Sequence, residues 1–190
     1  MGVRVGGALL ALAVLAGCAD IDVRSDAVAN HKPAYDPFDV WHAGNKGGGI
    51  PTLIYGNPFA LDVAAAHEAI RAQLKLPAWH QDFPFALVST TALRRGLRLT
   101  FVFNPSRRLS EGDGCGDVRD IPLADRGAIT RVAAAFCAGE RLLAEVAAEA
   151  PIAGPADPKL RALLDQTLRD LLPPRNPSVF DGRACVPPSC

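Results

Sequence analysis

His80 and Asp82 stand two residues apart in "AWHQDF", flanked by Trp79 and Phe83. An imidazole titrating near neutrality beside a carboxylate is the smallest set of groups that can do general-base work. Of the four histidines, His31, His42, His67 and His80, this one is the best candidate. None falls in the His-x-x-x-His or His-Glu-x-x-His spacing that sets two imidazoles on one helix face for a metal. His67 and Glu68 are neighbours within a predicted helix, and adjacent helical residues do not face each other. No Gly-x-Ser-x-Gly elbow marks a serine nucleophile. The terminal "CVPPSC" has four residues between its cysteines, whereas a thiol redox pair needs two.

Other polar clusters fit structural roles better than catalytic ones. "GNKGGG" places Lys46 before its glycines and has no Ser or Thr after them, so backbone amides and a lysine would not converge on phosphate as in a P-loop. Glu111, Asp113, Asp117 and Asp120 crowd one segment, "SEGDGCGDVRD". They lack the alternating ligand spacing of a calcium loop, so no metal is assigned, and nothing implies a cofactor. Arg94, Arg95, Arg98, Arg107 and Arg108 bracket a predicted strand pair. Gathered at the sheet ends, they would grip phosphate or carboxylate bidentately. The competing and favoured reading is a charged rim that keeps sheet edges from pairing with other chains.

Charge balances, twenty Lys and Arg against twenty Asp and Glu in 190 residues. That disfavours nucleic acid as a partner. Seventeen glycines and sixteen prolines point to extensive loop between few elements.

The N-terminus carries the most specific signal. One cation, Arg4, precedes an unbroken Ala, Leu and Val run from Ala8 to Ala16, then Gly17 and Cys18. This is the plan of a secretory signal, too short to span a bilayer. Leu15-Ala16-Gly17-Cys18 resembles the lipobox of bacterial lipoproteins residue for residue. The resemblance implies cleavage after residue 17, lipid on Cys18 and a mature chain held on a membrane facing the periplasm. Stable attachment needs more than one acyl chain. Ala19 after the cysteine is compatible with delivery to the outer membrane, which is favoured over the inner. On this reading the arginines would face lipid A phosphates, peptidoglycan carboxylates or an acidic protein.

With Cys18 taken by lipid, Cys115, Cys137, Cys185 and Cys190 remain. An even set in an oxidising compartment suggests two disulfides. The preferred pairs are Cys115–Cys137 and Cys185–Cys190, and the crossed pairings stay open.

The elements that would position these groups follow from periodicity. Residues 18–49 are polar and Gly/Pro-punctuated, so they read as a tether spanning roughly 30 Å. Tyr35, Phe38 and Trp41 within it are candidates for docking on the body or a partner. "IPTLIYG" reads as a strand. Asn57-Pro58 opens a helix running to about Lys75. Phe83–Thr91 reads as a strand, and Leu97–Phe103 alternates as a half-buried strand should. "LRRG" between the two would turn a hairpin. Ile129, Val132, Phe136, Leu143 and Val146 suggest a helix from about Asp125 to Glu149, and Asp157-Pro158 opens a last, leucine-striped helix. The expected fold is α+β, a small, mostly antiparallel sheet of about three strands with three helices packed on it. The division is signal 1–17, tether 18–49 and one domain over 50–190.

Two functions compete. The first is a non-enzymatic envelope lipoprotein that binds an envelope protein or a cell-wall component through its arginine rim. The second is a membrane-tethered hydrolase or small-ligand binder with its site near His80 and Asp82. The absence of catalytic signatures favours the first.

Overall fold

The computed structural model describes residues 23, 30–89 and 96–180. Cys18 and the rest of the lipobox, Arg94, Arg95, Cys185 and Cys190 lie outside the described residues.

Six strands form one mixed sheet. They are β1 (Asn30–His31), β2 (Ile50–Tyr55), β3 (Phe85–Leu87), β4 (Leu97–Phe103), β5 (Thr130–Ala138) and β6 (Arg141–Ala150). The spatial order is β1-β6-β5-β4-β2-β3. Strands β4, β5, β6 and β1 pair antiparallel, while β2 runs parallel to both β4 and β3. The helices are α1 (Phe38–Asn45), α2 (Val63–Gln73), α3 (Pro158–Leu171) and the single turn α4 (Pro177–Phe180). The class is α+β, but the small three-stranded, mostly antiparallel sheet is overturned by a larger, mixed one.

Three local differences account for that. The expected helix over 125–149 is the β5–β6 hairpin. Val132, Phe136, Leu143 and Val146 do recur at near-helical intervals, and alanine is the best helix former. Yet Val132, Ala134 and Phe136, and likewise Val146, Ala148 and Ala150, also alternate, and these residues enter the main core. Gly139 settles the choice. It sits at φ +63° in a two-residue loop between Ala138 and Arg141, and glycine in that first position suits a tight hairpin turn. Second, β3 and β4 do not form a hairpin, because β2 lies between them. Third, the folded body begins before residue 50. Residues 30–31 supply an edge strand, and Tyr35, Val40 and Ala43 are buried in the main core.

Helix α2 starts later than the Asn57-Pro58 signal suggests. Asn57 instead accepts from the Phe59 amide, 2.9 Å, and Asp62 caps the helix by accepting from Ala65 N, 3.0 Å. Helix α3 follows its sequence closely. Asp157 caps it, Pro158 fills the first turn, and Leu160, Leu163, Leu164, Leu168 and Leu171 are buried. Its C-terminal carbonyls lack intrahelical partners, and side chains distant in sequence supply donors. His31 Nε2 lies 3.2 Å from Leu171 O, Trp79 Nε1 and His80 Nε2 reach Leu172 O, and the Tyr35 hydroxyl donates to Pro173 O.

The sheet has two unlike faces. On one, α1, α2 and α3 cover the main core around Leu99, Phe101, Phe103, Phe136 and Leu143. The other is roofed by the irregular segment 104–124, whose Val118 and Ile121 pack on Leu53 and Val102. A Cys115–Cys137 disulfide pins this roof to β5. Among the described residues, no helix is long and apolar enough to cross a membrane.

Candidate functional site

The roof stops short of the outer strands and leaves a groove of about 400 Å³ over β5 and β6. Strand alternation builds its floor. Residues 132, 134 and 136 of β5 point into the core, so Arg131, Ala133 and Ala135 face the other way. Their partners across the ladder are Glu149, Ala147 and Glu145. The middle of the floor is therefore methyl groups, and charge collects at the ends. Residues 105–109 form the wall, with Arg107, Arg108 and Leu109 over the floor.

Small floor residues are also what let the roof approach. A Cβ on Gly114 would lie 2.9 Å from the Ala135 Cβ. A larger residue at either position would lift the disulfide-bearing turn off the sheet.

The groove's charged groups differ in how firmly they are held. Arg131 Nε meets Glu149 Oε2 at 3.0 Å. Glu145 accepts from Asn30 Nδ2 at 2.9 Å and, more weakly, from Gly112 N at 3.4 Å. Arg107 pairs with Asp113 at 3.2 Å and donates to Arg108 O. These exposed pairs contribute little to stability, but they fix where the side chains stand. The Arg108 guanidinium is exposed and makes no hydrogen bond or ion pair with the described residues. It is the groove's available cation, able to grip a carboxylate or phosphate with two parallel bonds.

The structure separates the arginines that the sequence grouped. Arg107 and Arg108 stand on the groove wall. Arg98 is buried and belongs to no rim. Its guanidinium donates to Gly139 O at 2.7 Å and Cys115 O at 2.5 Å, and burial pushes its pKa down. It clamps the hairpin turn to the disulfide-bearing roof. Cys137 sits on β5, and Cys115 ends a short 3-10 turn over Asp113–Cys115. The loop carboxylates serve separate partners. Glu111 pairs with Lys32, Asp113 with Arg107 and Asp117 with Arg119. Among the described residues, no cluster of three potential metal ligands forms.

His80 and Asp82 do not form a dyad. His80 is half-buried and gives its Nε2 proton to Leu172 O at 3.0 Å, an acceptor shared with Trp79. Burial lowers its pKa, partly opposed by that hydrogen bond. Asp82 is exposed and has no bond to His80. His67 Nε2 is likewise committed, 3.0 Å from Gly56 O. The hydrolase reading centred on residues 80 and 82 therefore lacks a base aligned by a carboxylate.

Sequence reasoning missed Ala133, Ala147, Arg131, Glu145 and Glu149, because it read their segment as helix. The alternation on both sides of Gly139 was the signal that would have found them. No family model, characterised protein or solved structure matches this chain.

Proposed function

We propose that the chain is a lipid-anchored, periplasm-facing component of a bacterial cell envelope. It binds, without transforming, a carboxylate-bearing segment of an envelope protein or cell-wall polymer. The lipobox-like Leu15-Ala16-Gly17-Cys18 supports the anchor. The observation that carries the binding role is the groove, a methyl-lined floor with Arg108, unengaged by the described residues, at its lip. Apolar lining with a few directed polar groups is the common pattern of a ligand site.

In-cell cross-linking, affinity purification and mass spectrometry test the reading. Arg108→Glu replaces the attracting charge with a repelling one and removes a charge-assisted hydrogen bond, a loss of about 1.5–3 kcal/mol, or roughly ten- to hundredfold in affinity. The co-purifying partner should fall accordingly while the protein's own level is unchanged. Equal recovery with Arg108→Glu would remove the groove from the binding role. Palmitate labelling that persists in Cys18→Ser would remove the anchor.

A further inference from the structure

The outer face of α1 is an aromatic patch. Phe38 is 64% exposed and Trp41 39%, with His42 exposed beside them. Spacing of three and four residues puts all three on one side of the helix. The rings touch one another, with centroids 5.8 Å apart for Phe38–Trp41, 5.8 Å for Phe38–His42 and 5.2 Å for Trp41–His42. The opposite side of α1, through Val40 and Ala43, is sunk in the main core. The helix is thus held rigidly while its aromatic side faces outward.

We infer that this patch rests in the interfacial layer of the bilayer to which Cys18 is attached. The inference depends on the anchored reading proposed above. Two observations favour a bilayer over a protein partner. The first is chain length. Val23 already packs against the main core and Asn30 is in the sheet, so at most eleven residues, 19–29, separate the anchor cysteine from the first strand. Even fully extended they reach only about 40 Å. The body therefore meets the membrane continually at high effective concentration, and a weak contact suffices to engage. The second is chemistry. Trp and His have an apolar body and a polar tip, the combination that suits the headgroup boundary, and Phe adds apolar area. A second attachment also complements lipid, since one acyl chain alone binds marginally.

The surrounding charge makes the contact apolar in character. Asp36 and Asp39 lie at the start of α1, Lys46 just after it, and Arg141 of β6 close enough to Asp39 to act on it, so acid and base balance and no cationic excess seeks anionic lipid. Docking should occur on neutral phosphatidylcholine and be indifferent to salt. The geometry also orients the molecule. Helix α1 belongs to the helical layer, and the groove lies on the opposite face of the sheet. Seating α1 on the bilayer leaves the groove turned away from it.

The test uses lipidated protein extracted from membranes, with intact mass confirming the modification on Cys18. It is reconstituted in phosphatidylcholine vesicles with or without brominated acyl chains. Trp79→Phe leaves Trp41 as the single tryptophan. The expected result is loss of roughly half or more of Trp41 emission with brominated lipid, unchanged in high salt and abolished by Phe38→Asp. If Trp79→Phe does not fold, the wild-type signal minus that of Trp41→Phe gives the same quantity. Unquenched Trp41 emission in correctly lipidated protein overturns the docking and leaves the anchor intact. An unmodified Cys18 mass overturns the anchored reading, and the docking with it.

Discussion

Arg98 shows how a side chain chosen for one role can hold another. Its charge is buried on β4, and it is stabilised by the carbonyls of Gly139 and Cys115. Arg98→Leu leaves both carbonyls without that donor and should lower unfolding free energy by about 1–3 kcal/mol. Arg107→Leu on the exposed wall should change it by less than about 0.5 kcal/mol. Urea titration of both variants checks the contrast. The Cys115–Cys137 link closes a sequence separation of 22 residues, so reduction should cost about 3 kcal/mol in the chain-entropy account. His80 makes stability depend on pH. Its folded pKa lies below the ordinary value of 6.5, so the unfolded chain takes up its proton first as pH falls. The contribution of His80 is complete above about pH 6.5 and is lost as pH drops through the lower, folded value. Denaturation midpoints at pH 7.5 and pH 5 should converge in His80→Gln relative to wild type. An unchanged gap would exclude His80 as the source.

At the scale of elements, legibility tracked how local the determinants were. Helix α3 could be read because its cap, its proline and its leucine stripe all lie within one segment. Strands β2 and β4 announced themselves by β-branched content and alternation. The β5–β6 hairpin did not, because Ala133, Ala134, Ala135, Ala144, Ala147 and Ala148 carry helix propensity that only pairing between strands overrides. The groove was illegible for the same reason. It exists only once two alanine-rich strands lie side by side and the roof is pinned above them. Its wall arginines were found, and its floor and far rim were not. The turn makes a direct test. Gly139→Ala places a Cβ at positive φ and should cost about 1 kcal/mol or more. Hydrogen exchange should show the loss concentrated in β5 and β6 amides.

Over the whole molecule, one core unites segments far apart in sequence. Asn176 donates to the carbonyls of Lys32 and Tyr35, Tyr35 reaches Pro173, and Lys32 N bonds Leu143 O. Residues 30–45 therefore hold the C-terminal helix against the sheet. A fragment beginning at residue 50 should lose cooperative unfolding, measured by circular dichroism, whereas one beginning at residue 18 should retain it. The hairpin strands also sort their positions by parity. In β5 and β6 the even-numbered residues 132, 134, 136, 146 and 148 build the main core, while 147 faces the groove and 133 both lines it and packs against the roof cluster of Leu53, Val102, Val118 and Ile121. The odd register is thus divided, with Ala135 and Cys137 answering to folding and Ala147 to recognition. Ala147→Leu should occlude the groove with little change in stability. Ligand preference can therefore drift through position 147 at little cost in stability, and a library randomised there would sample new specificities on an unchanged fold.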